Sequence, residues 1–69
     1  MIKKGDKVIV DLDIYDKVKE FGNHNEIISR TKNGMTAIVI EYNYKRGYAI
    51  IKFEDEFLCG IYELALIKK

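Results

Sequence analysis

Thr36-Ala37-Ile38-Val39-Ile40-Glu41-Tyr42-Asn43-Tyr44, a basic turn Lys45-Arg46-Gly47, and Tyr48-Ala49-Ile50-Ile51-Lys52-Phe53 decide the fold of this chain. Strand side chains alternate between two faces, so a hairpin with one wet face alternates apolar with polar residues. This hairpin is apolar on both parities. Ala37, Val39, Ala49, Ile51 and Phe53 fall on one; Ile38, Ile40, Tyr42, Tyr44, Tyr48 and Ile50 fall on the other. A chain of 69 residues hardly buries both sets alone. The first set reads as core. The second must meet another part of the chain, a second copy or a partner.

Working outward, Lys7-Val8-Ile9-Val10-Asp11-Leu12 reads as an opening strand with Val8, Val10 and Leu12 on one face, preceded by the turn signal Gly5-Asp6. Residues 13–33 form a long first connection. Within it Ile14, Val18 and Phe21 are spaced as a helical stripe, predicting a short helix over 14–21 with Asp13 as its cap and Gly22-Asn23 as its stop. Gly22-Asn23-His24-Asn25 reads as a polar loop, Glu26-Ile27-Ile28-Ser29-Arg30 as a helical turn or a short strand, and Asn33-Gly34 as a turn. The alternative is one irregular loop. Beyond the hairpin come an acidic turn at Glu54-Asp55-Glu56 and a strand Phe57-Leu58-Cys59-Gly60-Ile61. A tight helical turn at Tyr62-Glu63-Leu64 and a last strand Ala65-Leu66-Ile67-Lys68-Lys69 complete the chain. The pattern is mainly β, with five short strands in one domain over 1–69.

Composition narrows the classes. A core this small yields about 3–5 kcal/mol of net stability, and small domains often add a staple. One cysteine (Cys59) and one histidine (His24) leave no internal disulfide and no zinc site. A lone thiol suits a reducing, cytoplasmic setting. At 48% hydrophobic and 33% charged residues the chain is expected to fold. Its longest apolar runs fall far short of a membrane span, and its first residues lack the apolar core of a secretory leader. Net charge is +1, which weighs against a dedicated nucleic-acid domain.

Gly5-Asp6-Lys7-Val8-Ile9-Val10, Gly34-Met35-Thr36-Ala37-Ile38-Val39, Tyr48-Ala49-Ile50-Ile51-Lys52-Phe53-Glu54-Asp55 and Tyr62-Glu63-Leu64-Ala65-Leu66 together resemble SH3-like barrels of the KOW/Tudor/CarD type. That resemblance spans most of the chain except 13–33. It implies a five-stranded SH3-like small barrel with a long, partly helical first connection, and says little about a ligand. Leu12-Asp13-Ile14-Tyr15-Asp16 is also similar to the A-L-Y-D-Y segment of peptide-binding SH3 domains. The tryptophan on which their polyproline groove depends has no counterpart here. The lysine-, isoleucine-, asparagine- and tyrosine-rich make-up resembles small phage or mobile-element proteins.

The candidate contact surface is Ile38, Ile40, Tyr42, Tyr44, Lys45, Arg46, Tyr48 and Ile50. Tyrosine and arginine supply large contact area, stacking and charge. The leading expectation is a non-enzymatic module for a protein partner or for self-association. The second is nucleic-acid binding, with bases stacked on the tyrosines beside Lys45 and Arg46. Against both stands the plain reading that tyrosines favour exposed strands. Lys3, Lys4, Lys7, Lys68 and Lys69 are expected to gather near the paired ends, more as solvated edge protection than as a site. Asp11, Asp13, Asp16, Glu20, Glu54, Asp55 and Glu56 read as solvated loops and a cap. His24 and Cys59 have no partner at catalytic spacing. No enzyme, cofactor or metal is expected.

Overall fold

The computed structural model describes residues 2–18 and 24–69. Five strands, β1 (Lys7–Val10), β2 (Ala37–Asn43), β3 (Tyr48–Phe53), β4 (Leu58–Tyr62) and β5 (Leu66–Lys68), pair antiparallel in one sheet. Their order across it is β4-β3-β2-β1-β5. Two helices, α1 (Leu12–Val18) and α2 (His24–Lys32), fill the connection between β1 and β2, and a 3-10 turn (Glu63–Ala65) joins β4 to β5. The fold is mainly β, as the hairpin implies.

The sheet curls strongly. β4 and β5 are its opposite edges, yet Tyr62 ends one and Leu66 begins the other. Flat strands at the usual spacing would set these edges roughly 19 Å apart. The short chain between them reaches at most about 14 Å. Moreover, Tyr62 aligns with Tyr48 and Asn43 at one end of the central hairpin, while Leu66 aligns with Val10 beyond the other. Only coiling of the sheet reconciles the pairing with so short a link.

Inside the curl lie Val8, Val10, Ala37, Val39, Ala49, Ile51, Phe53, Ile61, Ala65 and Leu66, with Ile2, Tyr15 and Ile27 joining them. The hairpin parity expected to form the core does so: Ala37, Val39, Ala49, Ile51 and Phe53 are all buried. No charged or polar residue is buried among the described residues. Each fully buried aliphatic or aromatic side chain contributes about 1.5–3 kcal/mol, which makes this set the stabilising centre.

Two local expectations change. Strand β1 stops at Val10 and Leu12 opens α1, because Asp11 caps the helix in place of Asp13. Its carboxylate accepts the N–H of Asp13 (3.1 Å) and Ile14 (3.3 Å), and its carbonyl accepts that of Tyr15 (2.8 Å). His24 and Asn25 belong to α2, a full helix where a polar loop and one turn or strand were expected. Glu20, Phe21 and the stop at Gly22-Asn23 lie outside the described residues. Asn33-Gly34 is the expected turn, built as a helix end. Gly34 (φ 82°) donates to the Thr31 carbonyl and Met35 to the Arg30 carbonyl, each at 3.0 Å.

Both helices pack on the core side. Tyr15 and Ile27 are 3% exposed, and Ile14, Val18 and Ile28 rest against the same cluster. Val18 therefore does not cover the outer face of the hairpin, and residues 13–18 and 24–33 do not fold over it.

Candidate functional site

Between Val39 and Glu41 the ladder of β2 and β3 shifts register. Val39 stands opposite Ile51, but Glu41 stands opposite Ile50 and Tyr42 opposite Ala49. Ile40 is thus the extra residue of a bulge, which reverses parity downstream. Tyr42, expected beside Ile38 and Ile50, moves to the core side and packs against the buried cluster. Alternation counting cannot see a one-residue insertion, and no glycine or proline marks it.

The outer face consequently has three rows. Lys7, Ile38, Lys52 and Leu58 form the first; Glu41, Ile50 and Gly60 the second; Asn43, Tyr48 and Tyr62 the third. Ile38 is 36% exposed and Leu58 56%. Gly60 has a role that the sequence does not announce. A Cβ there would run into the ring of Tyr48, so its absence lets Tyr48 lie across β4. Tyr48 meets Tyr62 edge-on, with ring centroids 5.1 Å apart, a geometry aromatic pairs favour.

At the tip, Asn43 organises the turn. Its side-chain oxygen accepts the N–H of Lys45 (3.1 Å) and Arg46 (3.2 Å), and Gly47 takes the left-handed conformation at φ 65°. Tyr44, 72% exposed, projects beside Lys45 and Arg46. Of the eight expected contact residues, Ile38, Tyr48 and Ile50 share the outer face. Tyr44, Lys45 and Arg46 occupy the turn, Ile40 occupies the bulge, and Tyr42 stands behind.

The lysines do not assemble into one terminal patch. Lys3 and Lys4 line a depression of about 660 Å³ with Tyr42, Tyr48 and Ile50. Lys68 lines another, of about 530 Å³, with Arg46. Lys7 stands opposite Ile38 on the outer face. Glu63, a residue not singled out in the sequence, lines the second depression. Its carboxylate accepts the Ile2 N–H (3.3 Å) and the Tyr42 hydroxyl. The bond to Glu63, more than burial, raises the Tyr42 phenol above its ordinary pKa. Gly5 and Asp6 then bond to Val39 (2.7 and 2.9 Å), fixing the first residues along β2.

At the β3–β4 turn, Asp55 receives two bonds from the Arg30 guanidinium (2.9 and 3.1 Å). Arg30 also holds Glu26 (2.9 Å) and lies 4.0 Å from the centre of the Phe57 ring. The Arg30 bond pulls the Asp55 carboxyl below its usual range. Glu54 accepts the Thr36 N–H (2.7 Å), and Glu56 pairs with Lys52 (3.1 Å). At the other end, Lys3, Lys4, Lys45 and Arg46 carry no ion pair among the described residues, and Lys68 meets Asp6 at 3.5 Å.

Cys59 faces inward opposite Ile51, and burial pushes its thiol up to about 11, so it is protonated at neutral pH. The Tyr15 hydroxyl meets His24 Nδ1 at 2.7 Å; burial is the chief reason its pKa is raised. Among the described residues no three His, Cys, Asp or Glu side chains converge to hold a metal ion, and no helix is long and apolar enough to cross a membrane.

No protein-family model, curated protein or solved structure matches this chain.

Proposed function

We propose that the curled sheet is a small SH3-like barrel and that the chain is a non-enzymatic binding module for a protein partner, working in a reducing cytoplasm. One observation carries this reading. Both helices serve the core, leaving the outer face of β2, β3 and β4 with Ile38 and Leu58 exposed and Tyr48 laid across it. Apolar and aromatic side chains held on a rigid sheet suit protein contact. The test is a pair of variants, Ile38→Glu and Leu58→Glu. Exposed sites tolerate such changes to within about 0.5 kcal/mol, so both should melt with wild type and lose partner capture or self-association in sedimentation. A wild-type monomer whose captured proteins are unchanged by both variants would overturn the reading.

Nucleic-acid binding is the second reading, favoured by the unpaired Lys3 and Lys4 beside Tyr48. It requires affinity that falls steeply with salt. No retention of single-stranded DNA or RNA at ~50 mM salt, where screening is still weak, would exclude it.

A further inference from the structure

Among the described residues, strand β5 ends the sheet and pairs with β1 alone. Lys69 donates to the Lys7 carbonyl (2.9 Å) and Asp11 to the Ala65 carbonyl (2.7 Å), with Ile67 opposite Ile9 between them. In an antiparallel ladder alternate residues exchange bonds with the neighbour and the others point away. The N–H and C=O of Lys68 and the C=O of Leu66 therefore face outward, while the Leu66 N–H turns back to the Glu63 carbonyl. Such an edge is a template for another strand.

The edge adjoins the 530 Å³ depression, which both β5 residues Leu66 and Lys68 help to line. Ile2, Tyr62, Leu64 and Leu66 give it an apolar lining, with Arg46 and Lys68 at its sides. Leu64 is 73% exposed in the 3-10 turn, a large apolar side chain that nothing among the described residues covers. The one carboxylate of the lining, Glu63, is already engaged by Ile2 and Tyr42. Arg46 has no ion pair among the described residues, and Lys68, itself half-exposed, reaches Asp6 only at 3.5 Å.

We infer that the β5 edge and this depression form a strand-addition site for an extended peptide that carries an aliphatic and an acidic residue two positions apart, on one face of the added strand. The peptide's backbone continues the sheet at Lys68 and Leu66. Its aliphatic side chains enter beside Leu64 and Leu66, and its carboxylates meet Arg46 and Lys68. A second copy is the poorer occupant, because its β5 end, Leu66-Ile67-Lys68-Lys69, offers cations and no acidic side chain to Arg46 and Lys68. The inference rests on reading the chain as a protein-binding module, but not on its outer face.

The test is an NMR titration of the isotope-labelled full chain with a short peptide in which valine and glutamate alternate at every second position, with threonine between them. Two controls accompany it: lysine replacing glutamate, and alternate backbone amides methylated. The Lys68 amide should shift and gain protection from hydrogen exchange, and both controls should fail. Arg46→Glu should weaken binding about fivefold, the scale of an exposed charge pair, and Ile38→Glu should leave it unchanged. Equal binding of the lysine or methylated peptide, or shifts at Leu64 without protection of Lys68, would overturn the site. So would a dimer that protects Lys68 without peptide. Loss of a partner in Ile38→Glu alone bears only on the outer face.

Discussion

Strand β3 carries a charged turn at each end, and the two use their charges differently. Around Glu54, Asp55 and Glu56 every carboxylate has a protein partner, in Thr36, Arg30 and Lys52. Around Lys45 and Arg46 the cations have none among the described residues, and Lys3 and Lys4 join them there unpaired. The formal charge of +1 thus describes neither end. The carboxylates of the β3–β4 turn are tied to Thr36, Arg30 and Lys52, while Lys3, Lys4, Lys45 and Arg46 have no carboxylate partner among the described residues. Near-neutrality is weak evidence against an anionic partner when the carboxylates of one turn are engaged by the fold and the cations of the other are not.

The largest expected effect compares Phe53 and Tyr48, the two aromatic ends of β3. Phe53 is 1% exposed and packs with Phe57. Phe53→Ala should cost about 3–5 kcal/mol, the usual toll of deleting a buried aromatic. Tyr48 lies on the outer surface over Gly60, and Tyr48→Ala should cost about 1 kcal/mol, the scale of one aromatic pair, while removing the centre of the proposed contact face. Denaturant midpoints of the two variants measure the difference. Equal losses would mean that the outer face is as structural as the core.

A second comparison uses acid. Arg30 holds the Asp55 carboxyl below its ordinary pKa, so the folded state favours the ionised form. Stability from this pair is complete above the ordinary carboxylate range and is lost as pH falls through the folded value. Relative to wild type, Arg30→Gln should be least stable above about pH 5, with the gap closing below about pH 4. Thermal melts across that range decide it. No such closure is expected for Arg46→Gln, whose side chain has no carboxylate partner among the described residues.

How much of this is legible in the sequence follows from the range of each determinant. The core parity of β2 and β3 depends on adjacent residues and could be read directly: Val39, Ile51 and Phe53 had to share a face. Helix α2 has no sharp apolar stripe, and its strongest signals are Glu26, Arg30 and the Asn33-Gly34 end, so propensity alone left it ambiguous. Alternation puts Tyr42 on the outer face because nothing local marks the bulge at Ile40, which lies next to Val39, where Gly5 and Asp6 bond across a long stretch of sequence. Glu63 and Gly60 owe their roles wholly to tertiary neighbours, Tyr42 and Tyr48, and no local pattern could have exposed them.

The smallest expected effect separates the two turns by backbone alone. Gly47 and Glu56 occupy the same left-handed region, at φ 65° and 73°. The basic turn fills that position with the one residue free of Cβ crowding; the acidic turn fills it with a glutamate. A residue with a Cβ sacrifices roughly 1–2 kcal/mol there, while glycine loses about 0.5–1 kcal/mol more chain entropy on folding. Gly47→Ala should therefore destabilise, by about 1 kcal/mol on the same scales. Glu56→Gly should stabilise by about 0.5 kcal/mol, less whatever the exposed pair with Lys52 contributes, and such pairs contribute little. If Glu56→Gly lowers the melting temperature instead, the Lys52 pair outweighs the backbone term. The acidic turn would then be held by its charges more tightly than its exposure suggests, which would sharpen the contrast with the unpaired cations at the other end of β3.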